Sequence, residues 1–251
     1  MRLDKFLSDM CIGTRKEIKE IIKKRNVSVN GETALKPEMK VSMSDEISVY
    51  GEPVEYKGDI YLMMNKPAGV ISATHDPKGI EETVCDLLPD EFFGYGLFPV
   101  GRLDKDTTGL LLLTTDGKYA HMMTSPKKDV FKTYYAVCEG LDFEKARELF
   151  QKGIRIDGGY VTKPSEIFEL TSQPEETVYL CRKDAPTISG EEFVIKITEG
   201  KFHQVKRMVE AAGGRVLYLK RIGFGKFILP MDLEEGEIME INPDNHYVST
   251  E

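Results

Sequence analysis

The chain has no Trp, only four Cys and four His, and no apolar run near the roughly 18 residues that a membrane span requires. Its longest apolar runs, Leu110 to Leu113 and Tyr61 to Met64, are strand-sized. Cys11, Cys85, Cys138 and Cys181 lie 74, 53 and 43 residues apart with no Cys-x-x-Cys pair, which fits neither a disulfide framework nor a zinc ribbon. His75, His121, His203 and His246 show no metal-ligand spacing such as His-Glu-x-x-His, so no zinc is expected. Gly94-Tyr95-Gly96 is too short for a phosphate loop, and no Gly-Lys-Ser/Thr follows it. Met1-Arg2-Leu3-Asp4-Lys5 is charged at once and lacks an apolar h-region, which argues against secretion. The expectation is a soluble, reduced, cytoplasmic protein whose cysteines fill the core. What remains is ordinary globular composition: 251 residues, 41% apolar and 30% charged. That length allows one large domain or a small module plus a medium one.

The formal charge of −8, from 34 Lys+Arg against 42 Asp+Glu, by itself argues against a nucleic-acid binder. The sum hides two basic islands. Residues 1–30 carry eight basic groups against four acidic, and residues 201–226 carry seven against Glu210 alone. The other 195 residues therefore hold −18. A phosphate backbone responds to potential within about 8–10 Å, the Debye length near physiological salt, and not to the whole-chain sum. A basic run is also what any solvated helix face looks like, but two such islands in an acidic chain point to an anionic polymer.

Leu3, Phe6, Leu7 and Met10 fall on one face of a short helix that ends near Gly13. Thr14-Arg15-Lys16-Glu17 has the form of a capping box, and Ile18, Ile21 and Ile22 make the stripe of a second helix. Arg15, Lys16, Lys19 and Lys23 lie largely off that stripe and should project outward. Val27-Ser28-Val29 reads as a strand entering an Asn30-Gly31 turn, and Val41, Met43, Ile47 and Val49 predict two more short strands around Ser44-Asp45-Glu46. The run Met1 to Leu7, followed by Thr14-Arg15 and Val27 to Gly31, resembles an S4 domain, the αL-type RNA-binding module. The resemblance implies that residues 1–50 bind RNA, with Arg2, Lys5, Arg15, Lys16, Lys19 and Lys23 as candidate contacts.

Residues 51–59 hold two Gly and a Pro without apolar periodicity and are read as a linker. Residues 60–251 read as a strand-rich α+β domain. Strands are expected at Ile60–Asn65, Leu110–Thr114, Thr133–Cys138, Thr177–Cys181, Glu192–Thr198 and Val216–Ile222. Helices are expected at Phe143–Gln151, with Asp142 as N-cap, and at Phe202–Ala212.

Gly101-Arg102-Leu103-Asp104-Lys105-Asp106-Thr107-Thr108-Gly109 runs directly into the apolar strand that begins at Leu110. A polar, Gly-bounded loop on a rigid strand is a good platform for a catalytic group. From spacing alone, the simpler reading is that Asp104 or Asp106 caps the loop, with Arg102 as a surface partner. The run from Gly101 to Gly117, however, resembles the signature of the RsuA-type pseudouridine synthases, a branch that also carries an N-terminal S4 domain. The similarity extends through Tyr61 to Gly69, Thr124-Ser125-Pro126, Lys132-Thr133-Tyr134, Thr162-Lys163-Pro164 and Glu199 to Met208, in family order. It implies a small S4 module followed by a larger mixed/antiparallel-sheet catalytic domain.

Carried over position by position, the resemblance makes Asp104 the catalytic aspartate and Arg102 the arginine that helps place the target nucleotide. It makes Tyr134 the tyrosine that stacks on the base and Lys206 the cation paired with the carboxylate. Many relatives have Arg at the last position, and Lys cannot form the bidentate pair. The apolar wall of the base pocket falls on Leu219, with Leu217 as the alternative. Lys201, His203, Gln204 and Arg207 are further candidate RNA contacts. The implied reaction isomerises a uridine of 16S ribosomal RNA to its C-glycoside, on naked RNA or in an assembling small subunit. Asp104 serves either as nucleophile at C1′ or as base at C2′. The uridine must first leave its stack. No redox step or group donor is required, so neither cofactor nor catalytic metal is expected; the family-level expectation is a monomer with no membrane partner. Three alternatives stand beside this: a 23S target, a catalytically silent ribosome-assembly factor, and a glycosidase using Asp104 with Asp106. The last is the weakest, because two residues apart on an extended loop the carboxylates should point to opposite sides.

Overall fold

A computed structural model describes residues 1–10, 12–42, 44–54 and 58–245. Cys11, Met43, His246 and residues 55–57 of the linker stretch, all invoked above, lie outside them. The chain divides into two compact units, Met1–Ile60 with Leu88–Leu97, and Tyr61–Leu87 with Phe98–Glu251.

In the first unit, α1 (Leu3–Asp9) buries Leu3, Phe6 and Leu7. The next helix, α2 (Arg15–Lys23), starts on the expected capping box: the Thr14 amide donates to Glu17 Oε2 at 2.7 Å, and the Glu17 amide donates to Thr14 Oγ1 at 3.3 Å. The Thr14 amide and hydroxyl, both donating to it, hold the Glu17 carboxyl below its ordinary value. Ile18 and Ile22 point into the core, while Arg15, Lys16, Lys19 and Lys23 are exposed. β1 (Val27–Val29) turns through Asn30 and Gly31, at φ 52° and 81°, into β2 (Glu32–Thr33). Adding β3 (Ile47–Val49) and β4 (Glu52–Pro53) completes an antiparallel sheet in the order β2-β1-β3-β4. The strand expected at Val41 is an isolated bridge between Arg2 and Lys40 instead. Val41 donates its amide to the Met1 carbonyl at 2.8 Å, so this stretch ties down the start of the chain rather than extending the sheet.

The second unit contains β5 (Tyr61–Lys66), β6 (Phe98–Pro99), β7 (Thr108–Thr114), α3 (Gly117–Thr124), β8 (Lys132–Glu139), α4 (Phe143–Lys152) and β9 (Glu166–Glu169). It continues through α5 (Glu175–Arg182), β10 (Glu191–Ile197), α6 (Gln204–Ala211), β11 (Arg215–Phe224), β12 (Phe227–Ile228) and β13 (Ile238–Glu240). Among the described residues these strands form a nine-stranded mixed sheet, ordered β13-β5-β7-β11-β8-β10-β9, with β6 beside β7 and β12 beside β11. The β7–β11 pair is parallel and its neighbours along the path are antiparallel. Every residue of β7 is buried, as helices on both faces require. One face packs Leu110, Leu112, Val137, Val194 and Ile222 with Ala120 and Met123 of α3 and Leu180 and Cys181 of α5. On the other, Phe193 stacks on Phe143 of α4 at 6.0 Å, and α6 packs against β11. Burial pushes the thiols of Cys138 and Cys181 up to about 12. Among the described residues no helix is long and apolar enough to cross a membrane.

Two expectations are corrected here. Thr177–Cys181 forms the body of α5, not a strand: Pro174 precedes the helix, Glu175 and Glu176 occupy its first turn and Arg182 its last, an arrangement that suits the helix dipole. The second basic helix begins at Gln204, two residues later than periodicity predicts, because His203 holds left-handed backbone at φ 51° and ψ 32°.

The parallel pairing leaves no room beside Gly109. At φ +96°, a Cβ there would lie 2.3 Å from the Arg221 carbonyl oxygen. Gly109→Ala should therefore cost about 3 kcal/mol or more, read as a lower urea midpoint at unchanged m-value. Gly117→Ala, whose Cβ meets nothing within 4 Å, should change stability by less than about 1 kcal/mol.

Candidate active site

The loop of residues 102–107 is fastened by the segment that follows β5. Ser72 Oγ accepts the Leu103 amide at 3.0 Å and donates to the Leu103 carbonyl at 2.9 Å. The Gly69 amide donates to the Lys105 carbonyl at 2.8 Å. Lys66, fully buried, directs its ammonium to the carbonyls of Pro67 and Thr107 at 2.8 and 3.0 Å, with that of Lys105 at 3.4 Å. Burial lowers its pKa to about 8, against the pull of Asp106, Glu235 and Asp104. Within the loop the Thr107 amide donates back to the Asp104 carbonyl at 3.1 Å, which makes a turn of what the sequence presents as an extended stretch.

That turn brings the two carboxylates together. Lys206 Nζ lies 2.6 Å from Asp106 Oδ1 and 3.6 Å from Asp104 Oδ2. Asp104 and Asp106 thus converge on one cation and do not diverge, as the extended loop predicts. Lys206 makes its short bond to Asp106, not to Asp104. Burial pushes the Asp106 carboxyl up, but the bond from Lys206 and its charge together hold it below the ordinary value. His203 Nε2 stands 3.6 Å from the other Asp104 oxygen.

A cleft of about 390 Å³ opens above this loop. Its wall includes Arg102, Asp104 and Thr107 from the loop, Tyr134 from β8, Leu219 from β11, and Lys201, His203 and Gln204 from the start of α6. Leu219, rather than Leu217, contributes the apolar surface; Leu217 sits at the irregular register between Val216 and Tyr218. Successive strand residues face opposite ways, so Tyr134 lines the cleft while Tyr135 enters the core and donates its hydroxyl to Glu192 at 2.6 Å. Gln204 has both ends of its amide engaged inside its own loop, accepting the Lys201 amide at 2.9 Å and donating to Glu199 at 2.9 Å. Arg207 donates to the Phe202 carbonyl at 3.3 Å.

The sequence reading missed Lys66, Ser72 and Arg221. Arg221, 3% exposed, donates Nε to the Leu110 carbonyl at 2.7 Å and stands across from Tyr134 in the β11–β8 register. Burial lowers its pKa, against the pull of Tyr134. Its Nη2 has no partner among the described residues. The second basic island is correspondingly smaller than its residue count. Lys220 and Arg221 are buried in β11, and Arg215 pairs with Glu139 at 2.8 Å. In the first unit, Arg2 is bonded to Asp4 at 2.9 and 2.8 Å and Lys5 to Asp9 at 2.7 Å. Arg15, Lys16, Lys19 and Lys23 make no ion pair among the described residues.

Residues 1–47 match the family model of the S4 domain, and residues 60–211 match that of RNA pseudouridylate synthase. The RNA pseudouridine synthase YtzG of Bacillus subtilis is 42% identical over the whole of this chain and 99% of its own. Ribosomal small subunit pseudouridine synthase A of Vibrio cholerae is 37% identical over 94% of each chain. Ribosomal large subunit pseudouridine synthase B of Bacillus subtilis is 34% identical over 96% of this chain and 92% of its own. The chain belongs to the RNA pseudouridylate synthase family and is an RNA isomerase carrying an S4 domain.

Proposed function

We propose that the protein converts a uridine of ribosomal RNA to pseudouridine, with Asp104 as the reacting carboxylate and 16S rRNA as the substrate. The observation that carries this reading is the cleft itself: an aspartate on a fastened turn, an aromatic ring, an apolar wall and a cation 3.6 Å from the carboxylate. Relatives named for the small subunit are 34% to 37% identical and one named for the large subunit is 34% identical, so the choice of 16S rests on the motif resemblance and not on identity.

In the reaction the N1–C1′ bond breaks, the uracil turns while held, and C5 bonds to C1′. The C5 proton leaves and N1 gains one, so atoms and electrons balance without a donor. Asp104 enters by attacking C1′, where a covalent step divides one barrier into two, or by taking the C2′ proton. Tyr134 offers its face to the base, across the sheet from Arg221. Leu219 closes the apolar side. Thr107 Oγ1 is buried on the cleft wall with no hydrogen-bond partner among the described residues, and so has a hydrogen bond to give the bound nucleoside. Arg102, exposed at the cleft, fills the gap that the extruded uridine leaves in the RNA stack. On α2, Arg15, Lys16, Lys19 and Lys23 contact phosphates.

Asp104→Asn should lower pseudouridine formation in 16S transcripts, followed by proton release from C5, by roughly 10²- to 10⁴-fold while RNA affinity stays within about threefold. Asp106→Asn should cost less than about tenfold; a reversed order would transfer the catalytic role to Asp106. Mapping by carbodiimide-dependent primer extension should locate the product in 16S rRNA, and a site found only in 23S rRNA would overturn the target but not the chemistry. Replacing Arg15, Lys16, Lys19 and Lys23 with Gln should flatten the salt dependence of RNA binding by roughly 0.7–0.9 in log–log slope for each phosphate that α2 no longer neutralises. An unchanged slope would remove α2 from the interface.

A further inference from the structure

We propose that Phe202 and His203 form a stacking platform at the rim of the cleft for the base next to the target uridine, an inference that rests on the isomerase reading above. Phe202 is 67% exposed, an unfavourable place for a phenyl ring in water. Its ring nonetheless lies face to face with that of His203, centroids 3.7 Å apart and planes 20° from parallel. The His203 ring forms part of the cleft wall and reaches Asp104, so the pair continues the wall outward from the carboxylate.

The rim holds this shape from inside. Glu199, 5% exposed, accepts the Tyr160 hydroxyl, the Lys163 amide at 2.8 Å and the Gln204 side-chain amide at 2.9 Å. Gln204 in turn accepts the Lys201 amide, and Arg207 donates to the Phe202 carbonyl. His203 keeps a left-handed backbone that a residue with a Cβ seldom adopts. An exposed aromatic on a rigid, strained turn is displayed and not loose.

The surroundings select the occupant. Lys201 reaches over the Tyr160 ring, its Nζ 4.7 Å from the centroid, and Lys206 and Arg207 follow on α6. An apolar protein partner gains little beside so many cations, whereas a nucleotide offers a flat ring and a phosphate together. When the uridine leaves its stack, the adjoining base loses a neighbour, and Phe202 presents a ring to replace it. Such stacking tolerates any base, because every base has a π-face.

The absence of Trp from the chain makes the test direct, since Phe202→Trp installs a single tryptophan that can be excited apart from the 11 tyrosines of the full-length protein. Saturating single-stranded RNA 12-mers with a central uridine should quench its emission. Tyr179→Trp, at an exposed position of α5 outside the cleft wall, should not respond. Phe202→Ala and Phe202→Leu should bind the same RNA roughly 5- to 100-fold more weakly at an unchanged salt slope, and Phe202→Tyr should bind like the native chain. The platform is overturned if the 12-mer fails to bind, if it saturates the Phe202→Trp chain without quenching, or if Phe202→Leu binds as tightly as the native protein. None of these readouts needs turnover. Quenching by a chain that forms no pseudouridine in either rRNA would overturn the ribosomal target proposed above and leave the platform standing.

Discussion

At Gly109 the backbone of β7 comes so close to β11 that even a methyl group has no place beside the Arg221 carbonyl. Parallel neighbours are less usual in a sheet otherwise built from antiparallel pairs, and this one sets where everything in the cleft stands. The register pairs Gly109 with Arg221 across one side of β11 and Tyr134 with Arg221 across the other. Three strands therefore meet at one arginine. Its guanidinium binds the Leu110 carbonyl on β7, and Tyr134 of β8 is its cross-strand partner, so the ring and the strand that carries the Asp104 loop are both placed against the same buried group. Leu219, two residues earlier on β11, then faces the same cleft.

A second buried cation does the corresponding work for the loop. Carbonyl oxygens that project into a turn need donors, and an ammonium with three protons can serve several at once. Lys66 supplies them at the carbonyls of Lys105 and Thr107, which flank Asp106 in the chain. The price is desolvation, visible in a pKa drawn down to about 8. Ser72 and Gly69 add neutral bonds from the same segment. The cleft thus rests on a frame in which the Asp104 carboxylate makes, among the described residues, only loose ionic contacts, 3.6 Å to Lys206 and 3.6 Å to His203. A carboxylate without a close partner remains available to a substrate atom.

Local patterns in the chain are readable where one interaction dominates. The Thr14–Glu17 capping box, the Asn30-Gly31 turn, Asp142 at the head of α4 and the apolar β7 all express short-range rules, and each appears where those rules put it. The departures have a different origin. Thr177 to Cys181 carries β-favouring residues, but its flanks, Pro174 with Glu175 and Glu176 on one side and Arg182 on the other, determine a helix. An extended loop would send Asp104 and Asp106 apart, and the hydrogen bond that closes the turn instead joins atoms whose approach depends on distant donors. Lys66, Ser72 and Arg221 look like unremarkable polar residues in sequence. Their meaning lies in backbone groups that tertiary packing brings to them, and no spacing announces that.

The charge pattern shows the same distinction between composition and placement. An island of seven basic residues near the C-terminal end suggests a single polyanion surface, yet two of its members sit inside the sheet. Lys220 donates to the carbonyls of Leu180 and Lys183 at 3.1 and 2.6 Å, and Arg221 to that of Leu110. Their charge is committed to backbone oxygens and shielded from any phosphate at the surface. The cations left at least partly exposed there are those around the rim, Lys201, Lys206 and Arg207, close to the aromatic pair. In the first unit the sorting falls along the helices: α1 neutralises Arg2 and Lys5 with Asp4 and Asp9, whereas the basic row of α2 makes no ion pair among the described residues. A chain at net −8 can therefore address a polyanion, because Coulomb attraction at about a Debye length depends on which cations reach the surface and not on how many the sequence contains.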